Sequence, residues 1–256
     1  MLKLPGTINV ISIVLILAAA AQCASCSAGF DNSRIRSLDI EARRYFDEGV
    51  RLSGENRTDE AIQSYTRSIE INPGAAAYTN RASEYNRKER FDEAIADANR
   101  AIMMNDRYAA PYFIRGNSYY RKGDYNRALK NYSRSIILDP DRPAYYFNLA
   151  QTYTRLGLVD EAIDMYGKAA EKDPGYMAAH FNRACLYAQK KETQKALESL
   201  KRAEDAGLCN PALLKEEKSF DAMRNTAGFE SIVARLEKRF RSGRGCERLP
   251  VIKSEP

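Results

Sequence analysis

Alanine returns along this chain at Ala61, Ala94, Ala128, Ala162 and Ala196, at separations of 33, 34, 34 and 34 residues. Three more columns hold the same register. Twelve residues before each alanine stands a small residue (Gly49, Ala82, Gly116, Ala150, Ala184), and nine before it a large apolar one (Leu52, Tyr85, Tyr119, Tyr153, Tyr187). Seven residues after it comes another small side chain (Ser68, Ala101, Ser135, Ala169, Ala203). Four columns in step across five units exclude a fold built around one irregular core. A unit this short cannot bury its own apolar face, so neighbours must stack and share one.

Each unit holds two apolar-periodic stretches of about 13 residues joined by a short polar turn. In the third unit the first stretch is Pro111 to Lys122, the turn is Gly123-Asp124, and the second stretch runs from Tyr125 to Leu138 before Asp139-Pro140. Proline closes the pattern because it lacks a backbone donor and clashes with the preceding helical turn. Small residues on facing sides let two helix axes approach, and Tyr and Leu knobs fill the space beside them. Asp59-Glu60, Asp92-Glu93 and Asp160-Glu161 open second stretches, where carboxylates complement free N–H groups and the helix dipole. The pattern predicts five antiparallel helix pairs.

Residue by residue, the third unit carries Pro111, Tyr112, Phe113, Gly116, Tyr119, Gly123, Tyr125, Ala128 and Leu138-Asp139-Pro140. The fourth repeats this with Tyr146, Leu149, Ala150, Tyr153, Gly157, Ala162, Tyr166, Ala169 and Asp173-Pro174. On these residues the chain resembles the tetratricopeptide repeat family over about residues 42–208. The resemblance implies an all-α, right-handed superhelical solenoid with units at about 42–74, 75–108, 109–142, 143–176 and 177–208. Departures are local. The second unit ends Asn105-Asp106 and the fifth Gly207-Leu208, both without proline; Tyr45 and His180 fill a slot where the family often has Trp. Residues 209–241, with Phe220, Met223, Phe229, Ile232, Val233 and Leu236 recurring at helical spacing, are expected to form capping helices that cover the last apolar edge. Residues 27–41 read as a linker and 242–256 as a basic flexible tail.

In this family the first helices line a concave groove that holds peptides or partner helices. By register, one groove column is Phe46, Thr79, Phe113, Phe147 and Phe181, and the next is Val50, Ser83, Asn117, Gln151 and Cys185. A third is Gly54, Arg87, Arg121, Arg155 and Gln189. The expected partner-binding set is therefore Phe113, Phe147 and Phe181 for apolar anchors, Asn117 and Gln151 for a peptide backbone, and Arg87, Arg121 and Arg155 for carboxylates. Packing between neighbouring first helices is the competing role for the phenylalanines, and dipole stabilisation for the arginines. The carboxylate clamp of tetratricopeptide co-chaperones is missing. Asn80 matches one clamp asparagine, but Phe46, Val50, Ala110 and Ile114 stand where its Lys, Asn and Arg side chains belong.

The N-terminus reads as an export signal. Lys3 precedes an apolar stretch from Val10 to Ala21, interrupted by Ser12, and small residues follow to Gly29. That stretch falls short of the ~20 residues a spanning helix needs. Residues 1–26 are thus expected to be a signal peptide, of lipoprotein type if Cys23 or Cys26 is acylated, with conventional cleavage the alternative. Of the remaining cysteines, Cys185, Cys209 and Cys246 are odd in number and lack metal-site spacing; a Cys209–Cys246 disulfide stays open.

One His, no Trp and sixteen Tyr complete the picture, with every tyrosine between Tyr45 and Tyr187. A single imidazole leaves little room for triads, histidine metal sites or proton relays, so no enzyme, cofactor or metal is expected. Of the net charge of +6, residues 238–256 supply +4 and Lys3 +1, which leaves the repeats near neutral and argues for no nucleic-acid partner. The sequence reading is an exported, non-enzymatic scaffold in the periplasm or on the outer membrane by a lipid anchor. Its partner is another protein of an envelope-assembly, secretion, pilus or transport complex. The alternative is a periplasmic transporter-associated subunit that binds or relays a small ligand.

Overall fold

The computed structural model describes residues 32–243, and every regular element among them is helical. The segment expected to be a signal peptide, with Cys23 and Cys26, the tail beyond Gly243 and the Cys246 half of the suggested disulfide lie outside the described residues. No described helix is long and apolar enough to cross a membrane. The chain divides into two compact units, one ending at Pro73 and one beginning at Gly74.

The first unit is a helix pair, α1 (Asn32–Gly54) and α2 (Thr58–Ile71). Helix α1 starts inside the segment expected to be a linker, so the linker over 27–41 is corrected: it is helical from Asn32. Residues 32–41 contain no Gly or Pro, and Asp39 Oδ1 accepts a hydrogen bond of 2.8 Å from Asn72 Nδ2 beyond α2. The extension lacks an apolar stripe, since Leu38 and Ile40 are exposed, which is why periodicity does not reveal it. At the crossing of α1 and α2, a Cβ on Gly49 would lie 2.6 Å from the Tyr65 ring.

The second unit contains four pairs and a terminal cap. The pairs are α3 (Ala75–Arg87) with α4 (Phe91–Met104), α5 (Ala109–Arg121) with α6 (Tyr125–Leu138), α7 (Pro143–Arg155) with α8 (Val159–Lys172), and α9 (Met177–Gln189) with α10 (Thr193–Asp205). The cap consists of α11 (Pro211–Glu216), a 3₁₀ turn (Lys218–Met223) and α12 (Ala227–Arg241). The five marker alanines, Ala61 through Ala196, are all fully buried at the seams between paired helices. At the α5–α6 seam only glycine fits, because a Cβ on Gly116 would approach the Tyr132 ring to 2.7 Å.

The turns inside the pairs share one backbone device. Asn56, Glu89, Gly123, Gly157 and Lys191 all take left-handed φ values between 59° and 77° at the same repeat position. After Tyr120, the Gly123 N–H donates to the Tyr120 carbonyl and the Asp124 N–H to that of Tyr119, closing the helix end before Asp124 caps the next helix through Arg127 N–H.

The last pair meets the cap rather than another repeat. Phe220, Leu214, Phe229, Ile232 and Leu236 are buried in one cluster with Ala184, Leu200 and Leu208. Phe220 packs edge-on against Phe181, with ring centroids 5.9 Å apart, and Ser219 accepts a hydrogen bond from Gln189.

Candidate functional site: the first-helix face

In the second unit, Phe113, Asn117 and Arg121 lie at intervals of four residues on α5, and Phe147, Gln151 and Arg155 do the same on α7. Such spacing brings each trio onto one helix stripe. Arg87, Arg121 and Arg155 each end a first helix, where a cation is favoured by the helix dipole.

The aromatic column is an internal one. Phe147 is buried, its ring 5.4 Å from Tyr166 and 4.9 Å from Tyr176. Phe113 sits 5.7 Å from Tyr132 and 4.8 Å from Tyr145, and Phe181 packs on Phe220 as described. The expectation that these rings offer apolar anchors to a partner is corrected for Phe147, which presents almost no surface; Phe113 and Phe181 keep partial exposure. Packing with the next element wins because each ring lies where successive first elements meet.

The amide column is divided. Asn117 Oδ1 accepts from Tyr132 Oη and from Asn148 Nδ2, both at 2.8 Å, and so ties α5 to α6 and α7. Burial pushes the Tyr132 hydroxyl well above the ordinary tyrosine pKa, keeping it a proton donor to this bond. Gln151, half-buried on α7, makes no side-chain hydrogen bond among the described residues.

The arginines reach solvent. Arg121 is 56% exposed and meets Glu89 at 2.5 Å while its guanidinium lies over the Phe91 ring. Arg155 donates to Tyr120 Oη at 3.3 Å, and Arg87 pairs with Glu84 at 3.2 Å. The exposed Arg121–Glu89 pair contributes at most about 1 kcal/mol and opens readily to a competing carboxylate, whereas Glu84, the partner of Arg87, is buried.

Two groups of side chains lie outside the expected partner-binding set. Asn148 and Asn182, one residue beyond the phenylalanine column, donate to Asn117 and to Tyr166 Oη. Tyr120, beside Arg121, stacks edge-on with Tyr125 and receives Arg155. An offset of one residue from the chosen columns would have found both. Among the described residues no cluster of His, Cys, Asp and Glu suits a metal ion.

Paired helices joined by a left-handed turn, with small residues at each seam, define a helical-repeat protein. The repeats are tetratricopeptide repeats: models described as "TPR repeat" or "Tetratricopeptide repeat" match residues 46–111, 116–157, 143–176 and 178–206. The RNA polymerase II-associated protein 3 of Xenopus laevis is 36% identical over 83 residues, which are 32% of this chain and 12% of that protein. The chain thus spans a small part of the curated relatives it matches. Among solved structures, that titled "Functional Characterization of Pseudomonas Aeruginosa pilF" superposes with a TM-score of 0.67 at 17% identity, over 80% of this chain and 94% of that one. YrrB, described as "a TPR protein with an unusual peptide-binding site", gives a TM-score of 0.56 at 24% identity, covering 73% and 97%. These likenesses establish the fold.

Proposed function

We propose that the chain is a protein-binding adaptor of the cell envelope that holds an extended segment of a partner along its first-helix face. The observation that carries this reading is the stripe Gln151, Arg121 and Arg155. It offers an amide without a partner among the described residues and two solvent-reaching guanidiniums on neighbouring first helices. Gln151 suits a peptide backbone of any sequence, and the arginines suit acidic side chains or a terminal carboxylate. The peptide-binding site named for YrrB supports the same use of this fold. Export and anchoring through Cys23 or Cys26 complete the proposal, with the periplasm or the outer membrane as its location.

A photo-crosslinking residue at position 151 tests the face in cells, with the captured partner identified by mass spectrometry. One defined partner, captured at least tenfold less by the Arg121→Glu/Arg155→Glu variant, is the expected result. Equal capture by both would place the interface elsewhere. Fatty-acid labelling of the full chain with Cys23→Ala and Cys26→Ala tests the anchor, and a label that survives both substitutions together rules it out.

A further inference from the structure

Departures from the repeat pattern at Gly167 in the fourth unit and at His180 and Ser199 in the fifth surround one cavity. The first concerns an arginine column that runs Arg81, Arg115 and Arg183. Arg81 donates twice to Asp97, sixteen residues ahead, at 2.6 and 2.9 Å. Arg115 donates to Asn131, sixteen ahead, and to Asn99, sixteen behind. For Arg183 the same two offsets hold Ser199 and Gly167. Ser199 gives its hydroxyl to the Lys195 carbonyl, and the guanidinium lies 3.4 Å from where a Gly167 Cβ would be. The acceptors at both offsets are therefore gone; Arg183 Nη2 donates instead to Tyr187 Oη at 3.2 Å, and Nε is buried without a partner among the described residues.

The second concerns the preceding aromatic slot. Tyr112 and Tyr146 donate their hydroxyls to the carbonyls of Asp106 and Pro140, six residues back. His180 makes the same bond to the Pro174 carbonyl at 3.1 Å. A carbonyl only accepts, so Nε2 carries the proton and Nδ1 is left as a bare acceptor. It too is buried without a partner among the described residues. Burial lowers the imidazole pKa and holds this neutral form.

Between these residues lies an open cavity of about 390 Å³, walled by Gly167, His180, Arg183 and Arg202, with Glu171 and Asp205 exposed at its edge. It opens on the side of α9 opposite Phe181 and Cys185, away from the first-helix face. A ligand that completes it brings an acceptor to the arginines and N–H donors to His180 Nδ1 and the edge carboxylates. We propose that this cavity is a binding site for a free α-amino acid, its carboxylate at Arg183 and Arg202 and its ammonium toward His180, Glu171 and Asp205. The carboxylate takes the place that Asp97 holds in the second repeat. The neighbouring Arg202 has Glu198 at 2.9 Å as an exposed alternative partner, which it can leave.

His180 is the only histidine of the chain, so its ring nitrogens give one unambiguous NMR signal pair. The test titrates the full chain, ¹⁵N-labelled at histidine, singly with each of the twenty common L-amino acids and with acetate and inorganic phosphate at pH 7.5. At least one amino acid should move the Nδ1 resonance in a saturable 1:1 manner, at least tenfold more tightly than acetate or phosphate. Ser199→Asp, which supplies the missing acceptor from within, should weaken that binding at least tenfold without lowering the thermal midpoint. Gly167→Asn, filling the other offset, should do the same should the first variant misfold. Absence of any saturable shift would leave water as the only occupant and overturn the site. So would equal binding of acetate, or binding untouched by both substitutions. The site is independent of the adaptor reading, whose crosslinking test it does not affect.

Discussion

At the α3–α4 seam Arg81 faces Asp97, both nearly out of solvent at 9% and 2% exposure; at the corresponding α7–α8 seam Leu149 packs with Met165. The two seams share helix lengths, turn geometry and a fully buried marker alanine. They differ in what holds them together. An ion pair removed from water gains little over a well-packed apolar pair, because desolvation offsets most of its Coulomb attraction. Its members also depend on each other in a way that Leu149 and Met165 do not. Repeat geometry therefore tolerates either chemistry, but the charged seam fails all at once when one partner is lost.

The largest expected effect comes from splitting the pair. Asp97→Ala should destabilise the chain by ~3–5 kcal/mol in urea unfolding, since it removes both hydrogen bonds to the buried Arg81 and the 3.0 Å contact with Arg100. Arg81→Leu/Asp97→Met, which copies the fourth repeat, should come out between neutral and ~4 kcal/mol more stable than the wild type. A double variant as unstable as Asp97→Ala would break the comparison. Gly116→Val at the α5–α6 seam should cost ~1–3 kcal/mol by driving a side chain into the Tyr132 ring. The neighbouring seam carries Ala150 against Tyr166. An unchanged unfolding midpoint for Gly116→Val would mean that Tyr132 yields more readily than its 2.7 Å approach implies.

Smaller effects belong to the turns and to the fifth repeat. Lys191→Gly should stabilise by about 0.5–1 kcal/mol, because Lys191 holds a φ of 61° where the third and fourth repeats use glycine. A loss of stability instead would show that the side chain contributes more than the backbone strain. The smallest effect is one of pH. His180, with its pKa lowered by burial, stays neutral in the folded chain while the unfolded chain begins to protonate near pH 6.5, so stability falls as pH drops from there. His180→Tyr, the residue of the other four repeats, should remove that part of the slope. The loss at lower pH from paired carboxylates such as Glu93 and Asp124 should remain.

The repeats were legible because Ala61 through Ala196 and their companion columns report seams, and a seam constrains size at every turn of the helix. The early start of α1 was not legible, since its exposed Leu38 and Ile40 form no stripe and its stabilising bond runs to Asn72, 33 residues away. For the candidate face, register placed Arg121, Arg155 and Gln151 on their stripes. What it could not supply was the use of each side chain. Whether Phe147 meets a partner or Tyr176 depends on the element that follows, and Asn117 looks available until Asn148 is seen to take its carbonyl oxygen.

The cap removes one surface through which copies of this chain could stack. A repeat edge left open is a surface that another repeat already fits, and chains that join head to tail through such edges grow without limit. Phe220 and Leu214 close that surface on α9 and α10, and Arg235 fastens α12 to Glu204 through two nitrogens. The C-terminal end of the array is therefore a chain terminator in the polymer sense. With Phe220 and Leu214 seated there, that edge offers no open repeat surface for another copy to stack on.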